Sequence, residues 1–265
     1  MLHTYPSFPS RYVPPRTVHV YLPRLYSTHT NQSFPVIYLH DGQNLFDPAT
    51  SFSGVDWAVH EALEKLVQHG RAQPAILVGI CNTPQRRAEY FPQKAFALLI
   101  NDALRAHIIS NYGSPCGDRY LQFIVTELKP FIDSSYRTLP DPAHTAIMGS
   151  SMGGLISLYA LCEYPLVFGS AACLSTHWPA GDGVMIHYLQ SALPKPHSHR
   201  LYFDHGTETL DASYDLFQRQ VDNLLRTRGY LEGKNWITRR FPGHEHSERA
   251  WRSRVHIPLE FLLHP

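Results

Sequence analysis

The chain lacks any apolar run approaching the length of a membrane span, and residues 1–16 have no uninterrupted apolar core of the kind a signal peptide carries. Neither a membrane-embedded nor an exported protein is therefore expected. Cysteine is scarce: Cys81, Cys116, Cys162 and Cys173 are the four, scattered and without zinc-ligand spacing. That pattern speaks against a disulfide framework and a structural zinc site, and it makes a reducing cytoplasm the expected compartment. A surplus of charge is also missing. At a formal +1 the chain has no general electrostatic reason to seek nucleic acid or an anionic membrane. There is no internal repeat and no linker that would divide domains, and nothing in the composition fixes an oligomeric state.

What is present is a globular composition, 43% hydrophobic and 17% charged over 265 residues, which suits one sizeable core. A single α/β domain over residues 1–265 is expected, with residues 1–16, rich in Pro, Ser and Tyr, as an irregular arm. Thr17–Leu22 alternates and reads as a half-exposed strand. The runs at 36–40, 75–80, 145–148 and 168–174 are continuously apolar, as strands buried on both faces are. Further strands are expected at 200–203 and 236–241. Amphipathic stripes predict helices over 55–69, 118–131, 215–229 and 251–263, with 91–117 as a helical insertion and 180–198 as a mostly loop-like segment. Strands alternating with helices imply a mostly parallel sheet covered by helices on both faces. Ligands of such sheets bind beyond the carboxyl ends of the strands, and the distinctive loops here all follow strands.

The most informative of these loops is Gly149-Ser150-Ser151-Met152-Gly153, between a short apolar run and a helix-capable segment. It is the G-x-S-x-G pattern in a strand–turn–helix context. A serine hydroxyl becomes a useful nucleophile when it is held exposed on a tight turn, beside a base and facing main-chain donors. Ser151 is the candidate nucleophile, and the Met152 N–H at the start of the helix points where negative charge would develop.

Such a serine needs a base and an orienting carboxylate. The loop after the 200–203 strand offers Asp204, Glu208 and Asp211, of which Asp211 is favoured because Asp204 directly continues the strand and Glu208 lies early in the turn. The next loop offers His244 and His246; His246, three residues past Gly243, sits closer to the closing helix and is favoured. A rival reading, in which His244, His246 and His256 bind a metal, has no thiolate or H-E-x-x-H helix behind it. A second oxyanion donor is expected in the loop after the 36–40 strand, from Gly42 or Gln43. Tyr90, His177 and Trp178 are candidates for the substrate pocket, and Arg87 with Glu89 reads as a surface ion pair.

In combination these segments resemble the "Putative esterase" family of α/β-hydrolases, which includes siderophore esterases, feruloyl esterases, S-formylglutathione hydrolases and mycolyltransferases. The resemblance rests on residues 36–47, on Arg87-Ala88-Glu89-Tyr90, on residues 149–155, on Gly206-Thr207 with Asp211, and on residues 243–251. It implies an α/β-hydrolase fold and Ser151, His246 and Asp211 as nucleophile, base and acid. His246 stands five residues before Trp251, which matches the family's His-to-Trp spacing. The function so implied is hydrolysis of a small-molecule carboxylic or thio ester through an acyl-enzyme, without metal or organic cofactor. The alternatives are an acyltransferase using the same intermediate and an inactive hydrolase-fold binding module.

Overall fold

The computed structural model describes residues 1–196 and 198–264. Eight strands, β1 (Leu2–Phe8), β2 (Arg16–Tyr21), β3 (Val36–His40), β4 (Ile76–Ile80), β5 (Thr145–Ser150), β6 (Ser170–Leu174), β7 (Arg200–His205) and β8 (Trp236–Arg240), form one sheet. Their order is β1-β2-β4-β3-β5-β6-β7-β8. The β1–β2 and β2–β4 pairs are antiparallel and all the others parallel. Every residue of β3, β4, β5 and β6 is buried, the pattern of parallel strands covered on both sides.

Helices follow in chain order: α1 (Leu25–Thr28), α2 (Val59–Gln68), α3 (Arg86–Glu89), α4 (Gln93–Ala97), α5 (Asp102–Tyr112), α6 (Gly117–Phe123), α7 (Lys129–Ser135), α8 (Met152–Glu163), α9 (Val184–Ala192), α10 (Tyr214–Thr227), α11 (Glu248–Arg254) and α12 (His256–Leu262). Side chains alternate across the sheet and so feed two cores. Val36, Tyr38, Ile147 and Phe203 join α6, α8, α9 and α10 on one face. Ile37, Leu39, Met148 and Tyr202 join α2, α11 and α12 on the other.

The structure corrects several expectations. Residues 1–16 are not an irregular arm: Leu2–Phe8 pairs with β2 as an edge strand. Pro6 hides this in the sequence, but an edge strand tolerates proline, and the register shifts between Tyr5 and Phe8. The closing helix is two helices, α11 and α12, with Pro258 in the first turn of the second, where a missing N–H costs no helical bond. Of the apolar stripe read for the 215–229 helix (Leu216, Val221, Leu224 and Leu225), Val221 and Leu225 are buried, whereas Leu216 is exposed and Tyr214 and Gln218 are buried as well. The 91–117 segment is helical as α4 and α5, and α4 packs on α9, which occupies part of the stretch read as loop.

After β3 the chain crosses to β4 on one side, and β5 then lies on the other side of β3. The sheet order therefore reverses between β3 and β5, and the crevice at their carboxyl ends is where ligands of open α/β sheets bind. His40–Asp41 ends β3 there, and Ser150–Ser151 ends β5.

Candidate active site

Ser151 occupies the turn between β5 and α8 with φ 58° and ψ −123°. A non-glycine residue in such a region costs about 1–3 kcal/mol, so the surroundings must hold it. They do so through β6: the Ser151 N–H donates to the Leu174 carbonyl at 2.9 Å, and the His177 N–H donates to the Ser151 carbonyl at 3.1 Å. Gly149 is required by contact, since a Cβ there would come within 2.7 Å of the Gly153 main chain. Met152 is the first residue of α8, so its N–H has no intrahelical acceptor and remains available at the turn.

The loops after β7 and β8 bring Asp211 and His246 together. His246 Nδ1 lies 2.6 Å from Asp211 Oδ1. The other carboxylate oxygen, Oδ2, accepts from Ser175 Oγ and from the Gly206 N–H, each at 2.6 Å. Burial pushes the Asp211 carboxyl upward, but the bonds from His246, Ser175 and Gly206 outweigh it and hold the group below its ordinary value. The His246 main chain is fixed as well, its N–H donating to Thr209 Oγ1 at 2.9 Å. Glu208, the alternative acid, is exposed and begins the short turn carrying Asp211. His244 turns away and accepts from Arg254 Nη1 at 3.3 Å. Among the described residues no three potential ligands converge on a metal position, and His256 lies apart on α12.

At the end of β3, Asp41 adopts a left-handed conformation, φ 57° and ψ 47°. Arg86 donates to both its carboxylate oxygens at 2.7 Å, and Asn82 Nδ2 donates at 2.6 Å. Burial raises the Asp41 carboxyl and Arg86 more than reverses this, leaving it below its ordinary value. The Asn44 N–H donates to the Asp41 carbonyl at 2.9 Å, which leaves the Gly42 and Gln43 N–H groups ahead of the first turn bond. Gly42 has to be glycine, because a Cβ would sit 2.7 Å from the main chain of Gly79 on β4.

Ser151, His246, Asp41, Gln43, Arg86 and Phe52 share one cleft of about 470 Å³. None of the three pocket candidates lines it. Tyr90 is fully buried and its hydroxyl accepts the Asp41 N–H at 3.3 Å. Trp178 is 1% exposed and donates to Gln218 Oε1 at 3.1 Å, so both are core residues. His177 is half-buried, with Nδ1 2.6 Å from Tyr214 Oη, and burial followed by the nearby His246, Arg86 and Arg87 charges lowers it to about 4. The expected Arg87–Glu89 surface pair does not form. Glu89 is completely buried and bound twice by Arg16, at 2.6 and 2.9 Å, whereas Arg87 lies over the Tyr112 ring. Arg86, Ser175 and Arg254 were missed in the sequence because each acts through a long-range contact, with no local motif to mark it.

Residues 12–256 match the profile of the family described as "Putative esterase". The chain belongs to that family. A relative from Bacillus subtilis (strain 168), uncharacterized protein YbbA, is 29% identical over 221 residues, covering 80% of this chain and 79% of that one. Among solved structures, an IroE-like serine hydrolase from Shewanella oneidensis superposes with a TM-score of 0.75 at 20% identity, over 99% of this chain and 80% of its own. A ferulic acid esterase superposes with a TM-score of 0.73 at 19% identity, over 99% and 98%. At such identities the two structures show that the family member described here has the α/β-hydrolase fold.

Proposed function

We propose that the protein is a serine esterase in which Ser151 is the nucleophile, His246 the general base and Asp211 the carboxylate that orients it. The observation carrying this reading is the 2.6 Å bond from His246 Nδ1 to Asp211, on an imidazole that lines the same cleft as Ser151. With Nδ1 committed to the carboxylate, Nε2 is the nitrogen left to take a proton. His246 removes the Ser151 hydroxyl proton as Oγ attacks the ester carbonyl carbon. The resulting oxyanion is held by the Met152 N–H and by the Gly42 or Gln43 N–H. Collapse breaks the bond to the alkoxy oxygen, and His246 returns the proton to the departing alcohol. Water, deprotonated by His246, then attacks the acyl-enzyme and releases the carboxylic acid and free Ser151.

The substrate class is a small-molecule carboxylic or thio ester. The four cysteines are unpaired, which supports a reducing cytoplasm as the compartment. A fluorophosphonate probe should label the wild-type chain and leave Ser151→Ala unlabelled. The same substitution should reduce p-nitrophenyl acetate hydrolysis by at least about 10³-fold with the melting temperature preserved. Undiminished turnover in Ser151→Ala would overturn the proposal.

A further inference from the structure

Behind Asp211 runs a buried polar chain that the hydrolytic scheme leaves unused. Ser175 Oγ, which donates to Asp211 Oδ2, accepts two bonds of its own, from Trp251 Nε1 at 3.0 Å and from Arg254 Nη2 at 2.9 Å. With both lone pairs engaged, the single hydroxyl proton can go only to Asp211. Arg254 Nη2 also donates to Asp204 Oδ1 at 3.0 Å and stands 4.0 Å from Asp211 Oδ2. Tyr202 Oη donates to Asp204 Oδ2 at 3.1 Å, and the Ser175 N–H donates to Oδ1 at 3.3 Å. The Arg254 and Asp204 side chains are 2% and 0% exposed.

A buried ion pair is a poor way to stabilise a fold, since apolar replacements of similar volume are often neutral or better. Fold stability alone therefore does not account for a buried guanidinium between two buried carboxylates, one of them bonded to His246. Ser175 itself adopts φ 41°, a left-handed conformation that costs energy and aims the hydroxyl along this chain.

We infer that Arg254, Asp204 and Ser175 are positioning residues that hold Asp211 in one rotamer and set the electrostatic field at His246. Arg254 supplies a positive charge beside Asp211, and Asp204 cancels part of it. The catalytic meaning of this unit rests on the proposed esterase mechanism; its effect on the imidazole does not. Other groups facing the Asp211–His246 pair are His244 through Arg254, Tyr202 behind Asp204, His177 and Tyr214 on one side, and Glu248, Arg86 and Arg87 around the cleft. None of these changes in the variants below.

The test is the titration of the His246 imidazole by NMR, its resonance assigned by its loss in His246→Gln, alongside the pH profile of kcat/KM. Asp204→Asn uncovers the Arg254 charge and should lower the His246 pKa by about 0.5 unit or more, less than the ~1–3 units of a directly adjacent charge. Arg254→Gln removes the cation and should raise it by a similar amount. The acid limb of kcat/KM should move with each. General loosening of the site would shift both variants the same way, and that result overturns the inference. Arg254→Gln leaves Asp204 unpaired; should it fail to fold, Asp204→Asn, which keeps a carbonyl acceptor, decides alone, and an unchanged or raised pKa overturns the inference. If the wild-type chain neither takes up the fluorophosphonate nor hydrolyses esters, the esterase reading fails separately, and the NMR shifts still decide the electrostatic role.

Discussion

Arg86 grips both carboxylate oxygens of Asp41 at 2.7 Å, and Asp41 is the left-handed residue from which the Gly42–Gln43 turn departs. The ion pair thus fixes the residue that begins the turn proposed to supply the second oxyanion donor. Arg86→Ala should lower kcat by about 10–100-fold with a smaller change in KM, less than the ~10²–10³-fold cost of losing one oxyanion donor outright. Arg86→Lys should fall between, since lysine keeps the charge but not the two-pronged geometry. Steady-state kinetics on p-nitrophenyl acetate measures both, and wild-type kcat in Arg86→Ala would remove the clamp from the mechanism.

The carboxylate assignment separates two acids of one loop. Asp211→Asn should reduce kcat/KM by about 10³–10⁴-fold, because an amide no longer holds the imidazole in the required tautomer. Glu208→Gln, at an exposed position, should stay within about twofold of wild type.

For the two histidines, His246→Ala should be at least about 100-fold more damaging to kcat/KM than His244→Ala. His246 bonds Asp211 and lines the cleft, whereas His244 faces Arg254. Losses of equal size would leave the choice of base without support.

Acid lability should carry a histidine signature. Burial lowers His40 to about 3, with the Arg86 and Arg16 charges adding to the effect, and its Nδ1 is 2.8 Å from Tyr120 Oη. Below its ordinary pKa of 6.5 the unfolded chain binds a proton there that the native state refuses until about pH 3. Stability should therefore fall as pH drops from 6.5 towards 3. The depressed carboxyls of Asp41 and Asp211 act lower: their contribution is complete above the ordinary 3.8 and is lost as pH falls through their folded values. Denaturant melts at several pH values should show a shallower slope between pH 6 and 4 in His40→Asn. A slope equal to wild type would exclude His40 as its source.

Phe52 is 90% exposed and lines the cleft that holds Ser151, which leaves its ring open to an apolar group of a substrate. Phe52→Ala should raise KM by about 3–10-fold for esters with aromatic or long acyl groups and leave kcat nearly unchanged. An unchanged KM across an acyl-chain series would show that the ring does not touch substrate.

Much of this protein was legible along the chain because its signals are local. Continuous apolar runs mark β3 to β6, since a strand covered on both faces needs apolar side chains at every position. The Gly149–Gly153 turn announces itself because a close strand–helix approach excludes a Cβ. The β1 strand was not legible: its pairing partner, rather than its Pro- and Ser-bearing sequence, makes it a strand, as context-dependent β-propensity allows.

The functional chemistry divides the same way. Residue types and spacing alone mark Ser151, His246 and Asp211 as candidates, because each sits in a loop that must follow a strand. Only the tertiary structure decides that Asp211 rather than Glu208 meets the imidazole, that Tyr90 and Trp178 are core rather than pocket, that Arg86 holds Asp41 and that Arg254 holds Asp204. Charges pair through space at a few ångströms, and that distance is set by which strands lie side by side in the sheet.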